Sequence, residues 1–340
     1  MGQRFLIMKV SIKDCVKIKD INKIEVKKLI LNMMPTKVFS KASADQMRDK
    51  VMTKIVDARS LDDVKEYLND IEIVIPGWNV TSEDIDRLPN LKWIQSFSAG
   101  INTYPLAKIK ERGIVLTNTT GIHGPQMAEH IMGMILSFSR GILPSIRLQK
   151  ERKWRPELPV QELSQKEILI VGAGSIGAEV ARKAKAFDMR VVGLKRTVEP
   201  LENFDLVESM DNLKRALPTA DFVVILAPLN KETRGLIGYE ELSCMKKEGI
   251  LINLARGPLV VEEDLIKILR EEKIKGAGLD VFSREPLPED NPLWDFEQVI
   301  ITSHVGGFSD LSNERAIELI SRNIILFEEG KELINQINIK

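Results

Sequence analysis

Eleven short apolar runs recur along this chain, and helix-like segments separate most of them. From about residue 26 the runs are KKLILN, KIVDA, IEIVIPG, LKWIQSF and GIVLTN; after Thr120 they are EILIVGAG, MRVVGL, DFVVILAP, GILINLAR, GAGLDVF and QVIITSH. Short runs with little polar alternation suit strands buried on both faces. Such strands pair in parallel, and each parallel pair needs a crossover, usually a helix. The intervening stretches have that character. LDDVKEYLN carries Leu61, Val64 and Leu68 on one face, and SEDIDRLP opens on Ser82 as its cap. The pattern predicts an α/β fold of two doubly wound parallel sheets, the second with six strands.

Other segments set limits. PQMAEHIMGMILSF has Met127, Ile131, Met134, Ile135 and Phe138 at helical spacing, and Ala128, Met132 and Leu136 fill much of the remainder. A helix apolar almost all round is expected to be buried, here against its counterpart in a homodimer. The tail ERAIELISRNIILFEEGKELI reads as a long amphipathic helix, whereas residues 1–25 fit either an extra strand or a mobile extension. Lys plus Arg equals Asp plus Glu at 49 each, so charge offers no reason to expect nucleic acid or an anionic membrane as partner. Cys15 and Cys244, far apart, suggest neither a disulfide framework nor a metal site. FLIM is too short for a signal peptide or a membrane span, and Leu6 stands where a myristoylation signal needs Ser or Thr. The expectation is a soluble cytoplasmic protein without a metal.

The first motif with chemistry in it is GAGSIG. It follows the strand EILIV and opens the helix IGAEVARKAKAF, which is the setting that a dinucleotide-binding loop requires. Gly172 allows the tight turn, Gly174 lets backbone approach a pyrophosphate, and Gly177 lets helix and strand pack closely. The helix start at Ser175 and Ile176 then turns amide N–H groups and a positive dipole end toward phosphate.

About 20 residues past those glycines, at the end of the second strand, an NAD site places an Asp or Glu on the ribose hydroxyls. This chain reads VVGLKRT there, with Lys195 and Arg196. An ammonium and a guanidinium attract a 2′-phosphate that a carboxylate would repel, so the sequence favours NADP, with NAD possible. The alternative is that both cations are solvated and that Thr197 or backbone groups bind an unphosphorylated ribose.

Ligands of such sheets lie beyond the carboxyl ends of the strands. Those ends carry Pro228, Arg256, Asp280 and His304, with Glu285 a few residues past Asp280. Arg256 offers a fork of donors to a carboxylate and an adjacent carbonyl. His304 is suited to move a proton on or off that oxygen, and a paired Glu285 would favour the imidazolium.

From about residue 70 to 315 the chain resembles the D-isomer-specific 2-hydroxyacid dehydrogenases, through FSAGIN, AEHIMGMIL, VGAGSIG, APLNKETRGLIG, LINLARGPLV, GAGLDVFSREPLP and SHVGG in order. The resemblance implies a Rossmann cofactor domain, 121–308, inserted into a flavodoxin-like substrate domain, 1–120, that residues 309–340 complete. Hinges are expected near 119–122 and 307–310. The family interconverts 2-keto acids and D-2-hydroxy acids with a nicotinamide cofactor. By resemblance Arg256, Glu285 and His304 are the catalytic set, and Pro228, Ala255 and Asp280 face the cofactor. The amides of Ser98, Ala99, Gly100 and Ile101 hold the substrate carboxylate, and Trp78, Tyr104 and Trp154 lie near its side chain. Departures are Asn102 for the usual Asp, Ser303 for the usual Pro, and Lys195 for the acidic ribose ligand. The chain ends soon after its last helix, without room for the regulatory domain of many phosphoglycerate dehydrogenases. Glyoxylate, hydroxypyruvate or a bulkier 2-keto acid is therefore the expected substrate, met in a cleft between the domains. A nucleotide-sensing, corepressor-like protein of the same fold is the alternative. Formate dehydrogenase, which pairs its His with Gln, fits less well.

Overall fold

The computed structural model describes residues 28–34, 41–77, 80–98, 100, 101 and 103–339. The expectations for residues 1–25, and those for Trp78, Ala99 and Asn102, fall outside these residues. The chain forms two units, Met1–Asn118 with Ile320–Lys340 and Thr119–Leu319.

The first unit is built on five parallel strands: β1 (Leu29–Asn32), β2 (Lys54–Asp57), β3 (Ile71–Ile75), β4 (Trp93–Gln95) and β5 (Val115–Thr117). Their order, β2-β1-β3-β4-β5, is that of a flavodoxin-like doubly wound sheet. Each strand coincides with one of the five apolar runs. Burial supplies the reason: β3 is buried at every position, and Leu31, Ile94 and Leu116 share one core with Ile85 and Ile109. Ile85 and Ile109 come from the helices α2 (Ser82–Asp86) and α3 (Leu106–Glu111); a further helix, α1 (Lys41–Arg48), follows β1.

Two local expectations change. The cap of α2 is Thr81, not Ser82: its hydroxyl accepts from the Asp84 amide, and the Asp84 carboxylate accepts from the Thr81 amide. Residues Leu61–Tyr67 wind as a 3-10 coil broken at Val64 rather than as an α-helix, while still burying Leu61 and Val64.

The second unit holds seven parallel strands, one more than the runs suggested. They are β6 (Glu167–Val171), β7 (Arg190–Lys195), β8 (Leu206–Ser209), β9 (Phe222–Ile225), β10 (Ile250–Asn253), β11 (Gly276–Leu279) and β12 (Val299–Ile301). The order β12-β11-β10-β9-β6-β7-β8 places the switch point between β6 and β9. The unforeseen strand, β8, is an edge strand of sequence LVES whose residues all retain some exposure, so it has no apolar run to mark it.

Helices α4 (Gly124–Ser139), α5 (Ile142–Lys150), α6 (Ser175–Lys185), α7 (Leu213–Ala216), α8 (Tyr239–Cys244), α9 (Glu262–Arg270) and α10 (Ser312–Glu328) complete the chain. α4 is the almost wholly apolar helix. It finds its apolar partners within its own unit: Ala128, Ile131 and Ile135 pack with Val180, Ala181 and Ala184 of α6 and with Ile168 and Ile170 of β6. A Cβ on Gly278 of β11 would lie 2.7 Å from the Met134 sulfur, so helix and strand touch. The sequence had suggested a dimer from the apolarity of α4; with these partners in its own unit, that apolarity gives no argument for one. α5 bends away from α4 by 68° and has no buried residue. Among the described residues no single helix is long and apolar enough to cross a membrane.

The return of the chain to the first unit falls inside α10, at Leu319/Ile320. Asn323 explains the attachment: its Nδ2 donates to Gln95 Oε1 (3.1 Å) and to the Ile334 carbonyl (3.0 Å), and its Oδ1 accepts from the Ile334 amide (2.8 Å). Gln95 Oε1 also accepts from the Thr117 hydroxyl (2.8 Å), which accepts from Trp93 Nε1 (2.8 Å). A buried polar chain thus closes with every member paired.

Candidate active site

The loop between β6 and α6 has the form that the glycines implied. Gly172 adopts φ +107°, and a Cβ there would lie 2.5 Å from the Ala227 nitrogen, so only glycine fits the turn beside the end of β9. At Gly177 a Cβ would meet the Gly172 carbonyl oxygen at 3.0 Å and Ile170 Cγ2 at 3.1 Å, which is the close helix–strand packing expected. Nothing lies within 4 Å of a Cβ built on Gly174, the residue at the start of α6, so this face is open to a ligand. With the Ser175–Ile176 turn behind it, the loop fits a dinucleotide pyrophosphate.

Lys195 is the last residue of β7, and Arg196 and Thr197 follow it exposed. Lys195 is ion-paired with Glu199, a carboxylate that the sequence reading passed over. Pro228 is exposed beyond β9, and its carbonyl accepts from the Thr233 hydroxyl (2.6 Å). Ala255 is buried, with its amide donating to Asn253 Oδ1 (3.1 Å).

Beyond β10, β11 and β12 three loops converge. His304 Nδ1 lies 2.7 Å from Glu285 Oε2, while Glu285 Oε1 accepts from the Phe282 amide (3.0 Å). The carboxylate is thus oriented by its own loop before it meets the imidazole. His304 has φ +53°, a left-handed conformation uncommon for a residue with a Cβ. Its amide donates to the Asp280 carbonyl (2.9 Å). The Asp280 side chain is 2% exposed and accepts from the amides of Val305 (3.0 Å) and Gly306 (2.9 Å) and from the Thr302 hydroxyl. Asp280 is therefore bonded to the loop that carries His304.

Arg256 reaches this group through its neighbour. A Cβ on Gly257 would lie 1.9 Å from the Phe282 carbonyl carbon, so the backbone after Arg256 rests directly on the segment that leads to Glu285. The Arg256 side chain is exposed, and its Nη1 donates to the Ala255 carbonyl (2.6 Å).

The 98–101 loop belongs to the first unit and is organised by hydroxyls. The Ser98 amide donates to Ser96 Oγ (3.1 Å), and the Gly100 amide donates to Ser98 Oγ (3.2 Å). An anion bound to either amide has to compete with a serine oxygen. Tyr104 is buried in the core of that unit, and burial pushes its phenol pKa up, whereas Trp154 is 92% exposed. The sequence reading also missed His130 of α4, whose Nε2 lies 3.0 Å from Thr302 Oγ1. Inside an apolar helix nothing local marked it.

Comparison with known proteins identifies the family. Residues 132–306 match the family described as D-isomer specific 2-hydroxyacid dehydrogenase, NAD binding domain. The chain is 36% identical over 259 residues to a glyoxylate reductase of Thermofilum pendens, covering 74% of this chain and 76% of that one. A D-isomer specific 2-hydroxyacid dehydrogenase family protein of Aeromonas salmonicida superposes with a TM-score of 0.79 at 30% identity, covering 92% of this chain and 100% of that one. An NADPH-dependent glyoxylate/hydroxypyruvate reductase of Sinorhizobium meliloti, solved with NADP and sulfate, superposes with a TM-score of 0.77 at 25% identity, covering 92% of this chain and 98% of that one. A dinucleotide loop at the switch point and these relatives lead to one conclusion: the chain is an oxidoreductase with a nicotinamide cofactor and belongs to the D-isomer-specific 2-hydroxyacid dehydrogenase family.

Proposed function

We propose that this protein is an NADP-preferring reductase of small 2-keto acids of the glyoxylate or hydroxypyruvate kind, with His304 as its acid/base group. The observation that carries the reading is the Glu285–His304 pair at 2.7 Å, beyond the carboxyl ends of a sheet whose switch-point loop fits a dinucleotide. The glyoxylate reductase of Thermofilum pendens supports the substrate class, and the NADP-bound reductase of Sinorhizobium meliloti supports the cofactor.

Glu285 has one oxygen taken by the Phe282 amide, and the other faces His304 Nδ1. An ionised carboxylate only accepts, so Nδ1 carries a proton and Nε2 is the atom left to exchange one with substrate. A bound dihydronicotinamide supplies the hydride to C2. In reduction His304 Nε2 delivers its proton to the C2 oxygen, and in oxidation it takes that proton back. Arg256 orients the keto oxygen and carboxylate through its fork of donors. Carboxylate binding by the amides of the 98–101 loop is part of the same proposal. So is a homodimer, for which the exposed Ile142, Ile146 and Trp154 are the support.

The test is turnover of a panel of 2-keto acids with NADPH and NADH. His304→Ala and Arg256→Ala should each lower kcat/KM by about two to four orders of magnitude, as general acid–base and oxyanion groups do. Near-normal turnover in either variant removes that residue from the mechanism. No turnover of any acid by the unmodified protein would favour a nucleotide-sensing binding protein instead.

A further inference from the structure

The loop that carries His304 is fixed from one point. Asp280 accepts from the Thr302 hydroxyl and from the amides of Val305 and Gly306 through its side chain, and from the His304 amide through its carbonyl. The loop packs closely at Gly306, where a Cβ would lie 2.8 Å from Leu254 Cδ2 and 2.9 Å from Asp280 Oδ2. One member of this cluster comes from a different element. His130 projects from α4, with Nε2 3.0 Å from Thr302 Oγ1 and 3.9 Å from Asp280 Oδ1.

The proton count decides the direction of the chain. Thr302 has a single hydroxyl hydrogen, and the ionised carboxylate of Asp280 can only accept it. The Thr302 oxygen must then accept from its other neighbour, so His130 Nε2 carries a hydrogen and donates. The order is His130 Nε2–H to Thr302 O–H to Asp280 Oδ1. We infer that His130 is a positioning residue for His304, acting through Thr302 and Asp280. Among the described residues its bond is to Thr302, and it bonds neither the imidazole nor the Glu285 carboxylate. Its helix is a rigid anchor, buried against α6 and β6. By holding Thr302 in the rotamer that donates to Asp280, it keeps the loop in the register that imposes the left-handed conformation of His304.

The inference rests on His304 being the acid/base group, and its test separates the two readings. In steady-state assays His130→Ala should lower kcat about 10- to 50-fold while KM for NADPH and for the keto acid stays within about threefold, since only the transition-state geometry is disturbed. Thr302→Val should cause a similar loss. The double variant should be no worse than the poorer single variant, because both break one chain. His130→Gln, whose side-chain amide can donate in place of Nε2–H, should recover kcat to within about threefold.

A second readout needs neither cofactor nor turnover. The chain has three histidines, so ¹⁵N-histidine labelling resolves three imidazoles, and the His304 Nδ1–H resonance should move in His130→Ala and return in His130→Gln. Normal kcat in His130→Ala, losses that multiply in the double variant, or an unmoved His304 resonance each overturn the inference. Should His130→Ala fail to fold, normal kcat in Thr302→Val overturns it alone. An inactive His304→Ala beside a normal His130→Ala sinks only the positioning role, whereas an active His304→Ala sinks both readings.

Discussion

Replacing Lys195 by Asp together with Arg196 by Ala tests the cofactor reading at its origin, the end of β7. Two cations facing a 2′-phosphate would each form charge-assisted hydrogen bonds. For a partly exposed group these should together contribute roughly 1.5 to 3 kcal/mol, or about one to two orders of magnitude in kcat/KM. The structure modifies that expectation in one respect. Lys195 has 27% side-chain exposure and is already paired with Glu199, whose side chain is 54% exposed. A phosphate must displace Glu199 or bind beside it. Exposed ion pairs of this kind contribute at most about 1 kcal/mol, so the pair lowers the preference for NADPH without cancelling it.

The assay is kcat/KM for NADPH and NADH at a fixed saturating keto acid, at low and high salt. The unmodified enzyme should prefer NADPH, less so as salt screens the exposed charges. The double variant should lose NADPH activity and gain some with NADH, because the new carboxylate repels a phosphate and accepts from a ribose hydroxyl. Glu199→Gln should raise the NADPH preference a few-fold, the reverse direction from the double variant, by removing the competing anion. Equal use of both cofactors by the unmodified enzyme, or an unchanged ratio in the double variant, would mean that these cations are surface residues only.

Two further outcomes follow from the packing of the second unit. Gly257→Ala places a Cβ 1.9 Å from the Phe282 carbonyl carbon, against backbone that has no rotamer to yield, so thermal unfolding should show a loss of about 1 to 3 kcal/mol and kcat should fall as the Glu285 loop is pushed away; an unchanged Tm and kcat would show that the contact is loose. The surroundings of His123 disfavour its charged form: burial lowers its pKa below the ordinary 6.5, the Gly307 carbonyl partly opposes this, and the Arg315 cation adds to it. The unfolded chain then holds more protons between the folded pKa and 6.5, so stability rises with pH across that window and is lost as pH falls through it. Tm should drop on acidification below 6.5, and less in His123→Gln; equal pH slopes in the two proteins would refute the assignment.

Ten of the twelve strands lie wholly within an apolar run; β7 extends past its run by Lys195 alone, and β8 has no run at all. Hydrophobic burial on both faces is a local property of a parallel strand, and the sequence displays it directly. β8 escaped because all its residues retain some exposure, so backbone pairing to β7, which leaves no trace in residue type, is what marks it. The α2 cap was misplaced by one residue because Thr81 and Ser82 are both good caps, and only the reciprocal bond to Asp84 distinguishes them. At the site, Glu285 and His304 were legible as chemistry at strand ends. The supporting residues His130 and Thr302 were not, nor was Glu199 beside Lys195. Each acts through a contact with a residue distant in sequence or, for Glu199, through a side-chain rotamer.

The arrangement of the loops explains why glycine and a buried carboxylate accompany the groups proposed to react. Parallel strands deliver Arg256, Glu285 and His304 beyond the carboxyl ends of one sheet, but a strand end fixes only where a loop begins. The orientation of each side chain has to come from within the loops. Gly257 removes a side chain so that the Arg256 loop can rest on Phe282, and the Phe282 amide then aligns Glu285. Asp280 gathers four donors from residues 302–306 and holds His304 in a conformation that costs of order 1–3 kcal/mol for a residue with a Cβ. A loop that stores such strain remains ordered only while the groups around it stay paired. The residues most sensitive to substitution should therefore include ones that never meet substrate, and the buried chain from His130 to Asp280 is where that sensitivity is expected to be largest.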